Sequence, residues 1–323
     1  MMTPQGESHG QEPISGAGRT VVTRFAPSPT GPLHLGHAFS AILAHDFARE
    51  RGGRFLLRVE DIDGTRSRPE HVAGILADLE WLGLAWDGDV VLQSQRLDLY
   101  AEALARLKAM GLLYPCFCTR KDIAASASAP HGPEGLVYPG TCRGLPAAVR
   151  DQRMAAEPHA WRLDMAAALS EGRGPERAAA REDLGGLGPG LRRGALEWSD
   201  HGRAIPADPG PFGDVVLARK DAPVSYHLAV TVDDAAQGVT DVVRGEDLFA
   251  ATHVHRLLQA LLGLPTPAYH HHALIAGPDG ARLAKRHGAV GLAQLRAQGA
   301  DPAAIVAALR EGRLPAGNFA AEA

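Results

Sequence analysis

The sequence predicts an α/β fold: a doubly wound parallel sheet, split by an insertion and followed by a short helical segment. Three observations carry this. Short apolar strands alternate with amphipathic helices through the first third. The loop between the first strand and the first helix reads RFAPSPTGPLHLGHA, Arg24 to Ala38, and such loops are where these folds place ligands. All three cysteines, Cys116, Cys118 and Cys142, fall in one stretch where the alternation stops.

Val21-Val22 and Phe25 make a short first strand. The prolines that follow can neither donate to a strand ladder nor allow α geometry before Pro32. A helix therefore starts near Leu33, carries Leu35, Phe39 and Ile42 on one face, and runs to about Arg51. Gly52-Gly53 stops it. Phe55-Leu56-Leu57-Arg58-Val59 reads as a buried parallel strand. Val72, Ile75, Leu76 and Leu79 share a helix face, as do Leu97, Tyr100, Ala101, Leu104 and Leu107, with Gly111 as the stop. Residues 165–196 are rich in Ala, Gly, Arg and Pro without periodicity and read as a surface excursion. Alternation resumes at Val215-Val216-Leu217; a turn at Arg219–Pro223 leads into Val224–Val230. Val239–Val243 is a further strand and Thr252–Leu262 is amphipathic. Asp301-Pro302 opens a helix through Ile305, Val306 and Leu309, with Asp as N-cap and Pro at the first position. The expected segments are a disordered tail (1–19), a Rossmann-like first half (20–111), an α+β insertion (112–210), a second half (211–275), and a mobile loop with C-terminal helices (276–323).

The chain has 323 residues, 45% hydrophobic and 22% charged, with net charge −4. That excludes a globally basic nucleic-acid binder but not a local basic face. No apolar run reaches membrane-spanning length and residues 1–19 hold no apolar signal core. Three clustered cysteines make a poor disulfide framework, which points to a reducing, cytoplasmic compartment.

Two clusters carry chemistry. His34-Leu35-Gly36-His37 sits where loop meets helix, with two histidines at i and i+3, a glycine that admits close approach, and a helix N-terminus that favours anions. On its own it suits nucleotide phosphates, a metal pair or plain core histidines. Arg282-Leu283-Ala284-Lys285-Arg286 follows the turn Gly277–Gly280 and could close on a triphosphate; taken alone, it is more often a solvated basic loop.

Together, four segments resemble the class I glutamyl-tRNA synthetases: Arg24–Gly31 with His34–His37, Arg58–Asp63, Val242–Leu248, and Arg282–Arg286. They stand in that family's order over about residues 20–310. The resemblance implies that no protein nucleophile is used. Glutamate's carboxylate attacks the α-phosphate of ATP, brought with Mg2+, to give an adenylate. It implies that Arg24, Ala26, Ser28, Glu60, Tyr226 and Arg244 form the glutamate pocket, Glu60 taking the ammonium. It also implies that His34, Gly36 and His37 face ATP phosphates, with Lys285 reaching them in the transition state. The second signature departs from the family at Arg282 and Ala284, where Lys and Ser are usual. Singly, Glu60 could be a capping acid, Tyr226 a core residue and Arg244 a surface ion pair.

Too few residues follow Arg286 for the anticodon-reading domain of a full synthetase. Cys116-x-Cys118 and Cys142 supply three soft ligands, and a structural zinc wants four. The glutamyl-Q tRNA(Asp) synthetases resemble a truncated glutamyl-tRNA synthetase and use a tyrosine at the spacing of Tyr138; His131 is the rival ligand. That branch implies tRNA-independent glutamate activation, then transfer to queuosine at the wobble position of tRNA(Asp), by a monomer that takes the anticodon arm into its cleft. Arg143, Arg120 and Lys121 are candidate phosphate contacts. The competing readings are a truncated synthetase acting on a tRNA acceptor end, a silent tRNA-binding paralogue, and another nucleotidyltransferase with the same histidine motif.

Overall fold

The structure is a computed structural model that describes residues 19–125, 131–133, 135–170, 196–275 and 290–315. The elements run β1 (Val22–Phe25), α1 (Leu35–Arg49), β2 (Arg54–Val59), α2 (Pro69–Trp81), β3 (Val91–Leu92), α3 (Leu97–Ala109) and β4 (Leu113–Cys116). Then come α4 (Arg120–Ala125), β5 (His131–Gly132), β6 (Gly135–Leu136), α5 (Ala147–Ala156), β7 (Ala160–Leu163) and α6 (Met165–Leu169). After these follow β8 (Glu197–Asp200), β9 (Arg203–Pro206), β10 (Val216–Ala218), α7 (Tyr226–Ala236), β11 (Asp241–Gly245) and α8 (Ala251–Leu262). The chain closes with β12 (Ala268–His272), α9 (Leu292–Ala297) and α10 (Pro302–Arg310).

Two half-sheets, parallel apart from the β8–β9 hairpin, form the body of the fold. β1 pairs with β2 and β2 with β3, all parallel. β11 pairs in parallel with β12, and β12 with β8. The halves meet edge to edge, where Thr240 N–H donates to Val22 O (2.9 Å) and Val22 N–H donates to Thr240 Oγ1 (2.7 Å). α1 lies across the junction because its inner face is small: Ala38, Ala41, Ala44 and Ala48 are fully buried beside Ile42. Small side chains let the helix axis approach both halves closely. Its core includes Phe55, Leu57, Ile75 and Leu79 of the first half and Leu292, Leu295, Ile305 and Leu309 of α9 and α10. The C-terminal helices are therefore part of the first half's core. Leu292 N–H donates to Leu33 O at 2.8 Å, tying α9 to the loop before α1.

A second core joins α3, α7 and α8 to an antiparallel sheet of order β10-β7-β4, through Tyr100, Leu107, Leu163, Leu217, Leu228 and Leu258. The strand pairing cuts across the expected segments. β10, read as the return of the second half, joins the insertion's sheet. The β8–β9 hairpin, placed in the insertion, extends the second half-sheet. The run Val224–Val230, met after the resumed alternation, is mostly helix: Ser225 stands at the N-cap position of α7, whose buried face takes every residue from His227 to Asp234. Burial on all sides flattens the helical period that exposure would have revealed.

Among the described residues no helix is long and apolar enough to cross a membrane.

Candidate active site and metal centre

The C-terminal ends of β1, β2 and β11 open onto a cavity of about 690 Å³. It is lined by Arg24, Ala26, Ser28, His34, Gly36, His37, Glu60, Tyr226 and Arg244, every described residue that the sequence assigned to glutamate or ATP. Lys285, Arg282 and Ala284 lie outside the described residues, as do the side chains of His131 and Arg120. The described residues flanking that second signature stay close to the site: Leu274 and Ile275 line the cavity, and Gly291 bridges to His34.

The two histidines are built into the start of α1 as a capping box. His34 Nδ1 accepts from Gly36 N–H (3.1 Å), and His37 Nδ1 accepts from His34 N–H (3.2 Å). The rings stack at 3.8 Å. With Nδ1 accepting in both, each neutral ring carries its proton on Nε2. The pair therefore satisfies the helix N-terminus and offers N–H donors to an anion. Gly36 leaves little room: a Cβ there would lie 3.0 Å from His34 Cε1, so that ring would have to shift.

Arg24 and Glu60 stand over a buried ionic network that sequence reasoning missed. Asp234 of α7 accepts from Arg24 (3.1 Å) and Arg58 (2.8 Å). Asp233 accepts from Arg96 (2.6 Å), Gln93 (2.8 Å) and Tyr100 (2.8 Å). Arg58 is completely buried and also reaches Gln237 at 2.7 Å. Burial works to raise the Asp234 carboxyl, and the Arg24 and Arg58 guanidiniums outweigh it, holding it below the ordinary range. Burial pushes Glu60 up to about 7; the nearby Arg58 and Arg24 oppose this, and Asp234 and Asp233 reinforce it. The one signal in the sequence was Asp233-Asp234 inside an apolar run, where two adjacent acids need buried cations.

Arg244 leaves β11 buried, and its Nη1 donates to the Tyr226 hydroxyl at 3.3 Å. Burial pushes that phenol up to about 12, so it stays neutral.

In the insertion, the sulfurs of Cys116, Cys118 and Cys142 lie within 4.8 Å of one another. Cys118 Sγ stands 3.6 Å from Cys142 Sγ and 3.5 Å from the Tyr138 oxygen. A tetrahedral ion with thiolates at about 2.3 Å and an oxygen at about 2.0 Å sets sulfurs roughly 3.8 Å apart and sulfur to oxygen roughly 3.5 Å. The donor set fits a metal. Tyr138 is aimed by Cys142 N–H, which donates to its oxygen at 2.8 Å, and by the Arg162 guanidinium stacked 3.9 Å from its ring centre. Burial pushes the Cys118 thiol up to about 11, so without a cation this thiol stays protonated. Arg143, a candidate RNA contact, is paired with buried Asp214 at 2.7 Å; Lys121 is exposed.

Comparison with known proteins gives the family of the chain. The family model "tRNA synthetases class I (E and Q), catalytic domain" matches residues 20–170 and 201–317. The Glutamyl-Q tRNA(Asp) synthetase of Rhodobacter capsulatus is 52% identical over 88% of this chain and 98% of its own length. The chain belongs to the glutamyl-Q tRNA(Asp) synthetase family. The relative of that name from Symbiobacterium thermophilum is 48% identical over 88% of this chain and 83% of its own. Among solved structures, the glutamate-tRNA synthetase of Elizabethkingia anophelis superposes with a TM-score of 0.66 at 26% identity. The match covers 83% of this chain, which spans about half (53%) of that synthetase. A glutamate tRNA ligase from Elizabethkingia meningosepticum, solved in complex with its amino acid, gives 0.65 at 27% identity.

Proposed function

We propose that the protein activates glutamate with ATP, independently of tRNA, and transfers it to queuosine at the wobble position of tRNA(Asp). The observation that carries this is the single cavity in which Arg24, Glu60, Tyr226 and Arg244 meet the His34–Gly36–His37 helix start. An ammonium acceptor and a carboxylate donor at one end, and an anion site at the other, suit an amino acid with an acidic side chain laid against a triphosphate.

In this reading Glu60, ionised above about pH 7, holds the ammonium. Arg244 donates from Nη1 to the side-chain carboxylate beside the Tyr226 hydroxyl. Arg24, Ala26 and Ser28 complete the pocket wall. The α-carboxylate oxygen then attacks the α-phosphorus, forming the mixed anhydride as the bond to pyrophosphate breaks. The Nε2–H groups of His34 and His37 donate to the phosphate oxygens, with Gly36 letting them come close. Lys285 neutralises the phosphates in the transition state, and Mg2+ accompanies ATP. A hydroxyl of queuosine then takes the glutamyl group and releases AMP.

Zinc held by Cys116, Cys118, Cys142 and Tyr138 would staple β4 to the loop before α5, a structural role. The protein acts as a cytoplasmic monomer on L-glutamate, ATP and the anticodon arm.

The test is glutamate-dependent ATP–pyrophosphate exchange without tRNA, then labelled glutamate transfer to tRNA(Asp) with and without queuosine. Exchange plus queuosine-dependent transfer is expected. Transfer to a tRNA acceptor end alone, or no exchange, would overturn the proposal.

A further inference from the structure

Arg244 sits in a cradle of histidines that the reaction above does not use. Its five N–H groups all find partners, and they divide by strength. Nε donates to His271 Nε2 at 3.2 Å. Nη2 donates to Thr252 Oγ1 at 2.5 Å and Leu248 O at 3.1 Å. Nη1 has the longest contacts, 3.3 Å to Tyr226 and 3.5 Å to His255 Nδ1. Tyr226 is 37% exposed and lines the cavity, so Nη1 is the edge that can exchange partners with a ligand.

His271 can accept from Arg244 only if its other nitrogen carries the proton. The structure arranges this: Asp200 Oδ1 takes both the His271 backbone N–H (3.1 Å) and its Nδ1–H (3.0 Å). The ring packs among Trp198, Phe249 and Tyr269, with centres 5.7, 5.0 and 5.9 Å away. Burial, with Arg244 beside it, drives His271 down to about 4; burial and Arg244 likewise hold His255 well below its ordinary value. Both rings therefore meet Arg244 neutral.

We propose that the Asp200–His271 pair is a positioning device that clamps Arg244 by Nε and turns its Nη1 edge to the cavity, setting the preference for glutamate over glutamine. This rests on Arg244 being the side-chain carboxylate's partner. Asp200 ends β8, so the strand that returns from the insertion reaches back to set the pocket. A guanidinium held by two of its three nitrogens presents a fixed pair of donors and discriminates a charged acceptor from an amide. One that swings pays ordering entropy on binding and can meet either.

The test compares His271→Leu, which has no acceptor, with His271→Gln, whose Oε1 can replace Nε2, in ATP–pyrophosphate exchange. For His271→Leu the expected result is a rise in glutamate KM of about 10–100-fold, the range for losing a hydrogen bond to a charged group. ATP KM should stay unchanged, the glutamate-over-glutamine ratio should fall, and His271→Gln should recover most of the loss. An equal rise in both KM values, or no rise in a folded protein, overturns the proposal. If His271→Leu does not fold, Asp200→Ala decides: a glutamate-specific KM rise supports the clamp and an unchanged KM overturns it. Arg244→Ala separates the two levels. Unchanged glutamate KM there means the pocket reading has failed, while lost glutamate activation with a silent His271→Leu means that only the clamp has.

Discussion

Asp234→Asn tests the network beneath the pocket. The substitution keeps the side chain's shape and removes its charge. Asp234 is 8% exposed, Arg24 6% and Arg58 0%, so water cannot replace the lost partner. Arg58 would keep Asp233 at 3.6 Å as its nearest anion, and Asp233 is already committed to Arg96 at 2.6 Å. Breaking one side of a buried ion pair costs about 3–5 kcal/mol. The amide oxygen still accepts one bond, so the lower end, about 3 kcal/mol, is expected. At roughly 2 °C per kcal/mol for a chain of this size, the Tm should fall by about 6 °C. Arg24 loses its anchor as well, so glutamate KM should rise about tenfold while ATP KM holds. Urea unfolding followed by circular dichroism, and exchange kinetics at saturating ATP, measure the two. A loss below about 1 kcal/mol would refute the claim that the network is a paired buried unit. A normal loss with unchanged glutamate KM would refute its link to Arg24.

Other expectations are independent of that one. Because Glu60 ionises near 7, kcat/KM for glutamate should rise about tenfold per pH unit below pH 7 and level off above it; a flat profile from pH 5 to 8 would exclude Glu60 as the ammonium acceptor. Native Glu60 keeps its proton up to about 7 and the unfolded chain releases it near 4.5, so wild-type stability falls as pH rises through that window. Glu60→Gln cannot ionise, and its Tm should exceed wild type at pH 8 but not at pH 4.5. Gly36→Ala forces a Cβ to 3.0 Å from His34 Cε1 and should cut exchange by at least about tenfold with little change in Tm; full activity would show that the capping geometry is dispensable. Elemental analysis of protein expressed with ample zinc should find one zinc per chain, and Cys118→Ala should lose it; none in the wild type would remove the metal.

The cavity was legible through the family resemblance, whose short signatures fall at strand ends in a fixed chain order. His34, Glu60 and Arg244 were placed by that resemblance, since each taken singly also had a plain structural reading. The cysteine cluster was legible because all three cysteines fall in one short segment. What supports these residues was not. Asp233, Asp234, His255 and His271 sit inside buried runs whose partners lie far away in sequence, and no local spacing announces them. β12 was missed because Tyr269-His270-His271-His272 lacks an apolar alternation, yet Tyr269 and His271 point into packed aromatic surroundings. Val224–Val230 was unclear because a helix buried on every side shows no face.

The Val22–Thr240 junction is also a long-range closure on which the cleft depends. Its strands are separated by 218 positions, and the cleft between them exists only once they touch. Helices can form on local contacts, while pairing at such separation needs a long search, as does the still longer Leu33–Leu292 tie. Glutamate binding, which needs the assembled cleft, is expected to return with such long-range closures rather than with the local helices. During refolding, its recovery should lag behind the return of helix signal.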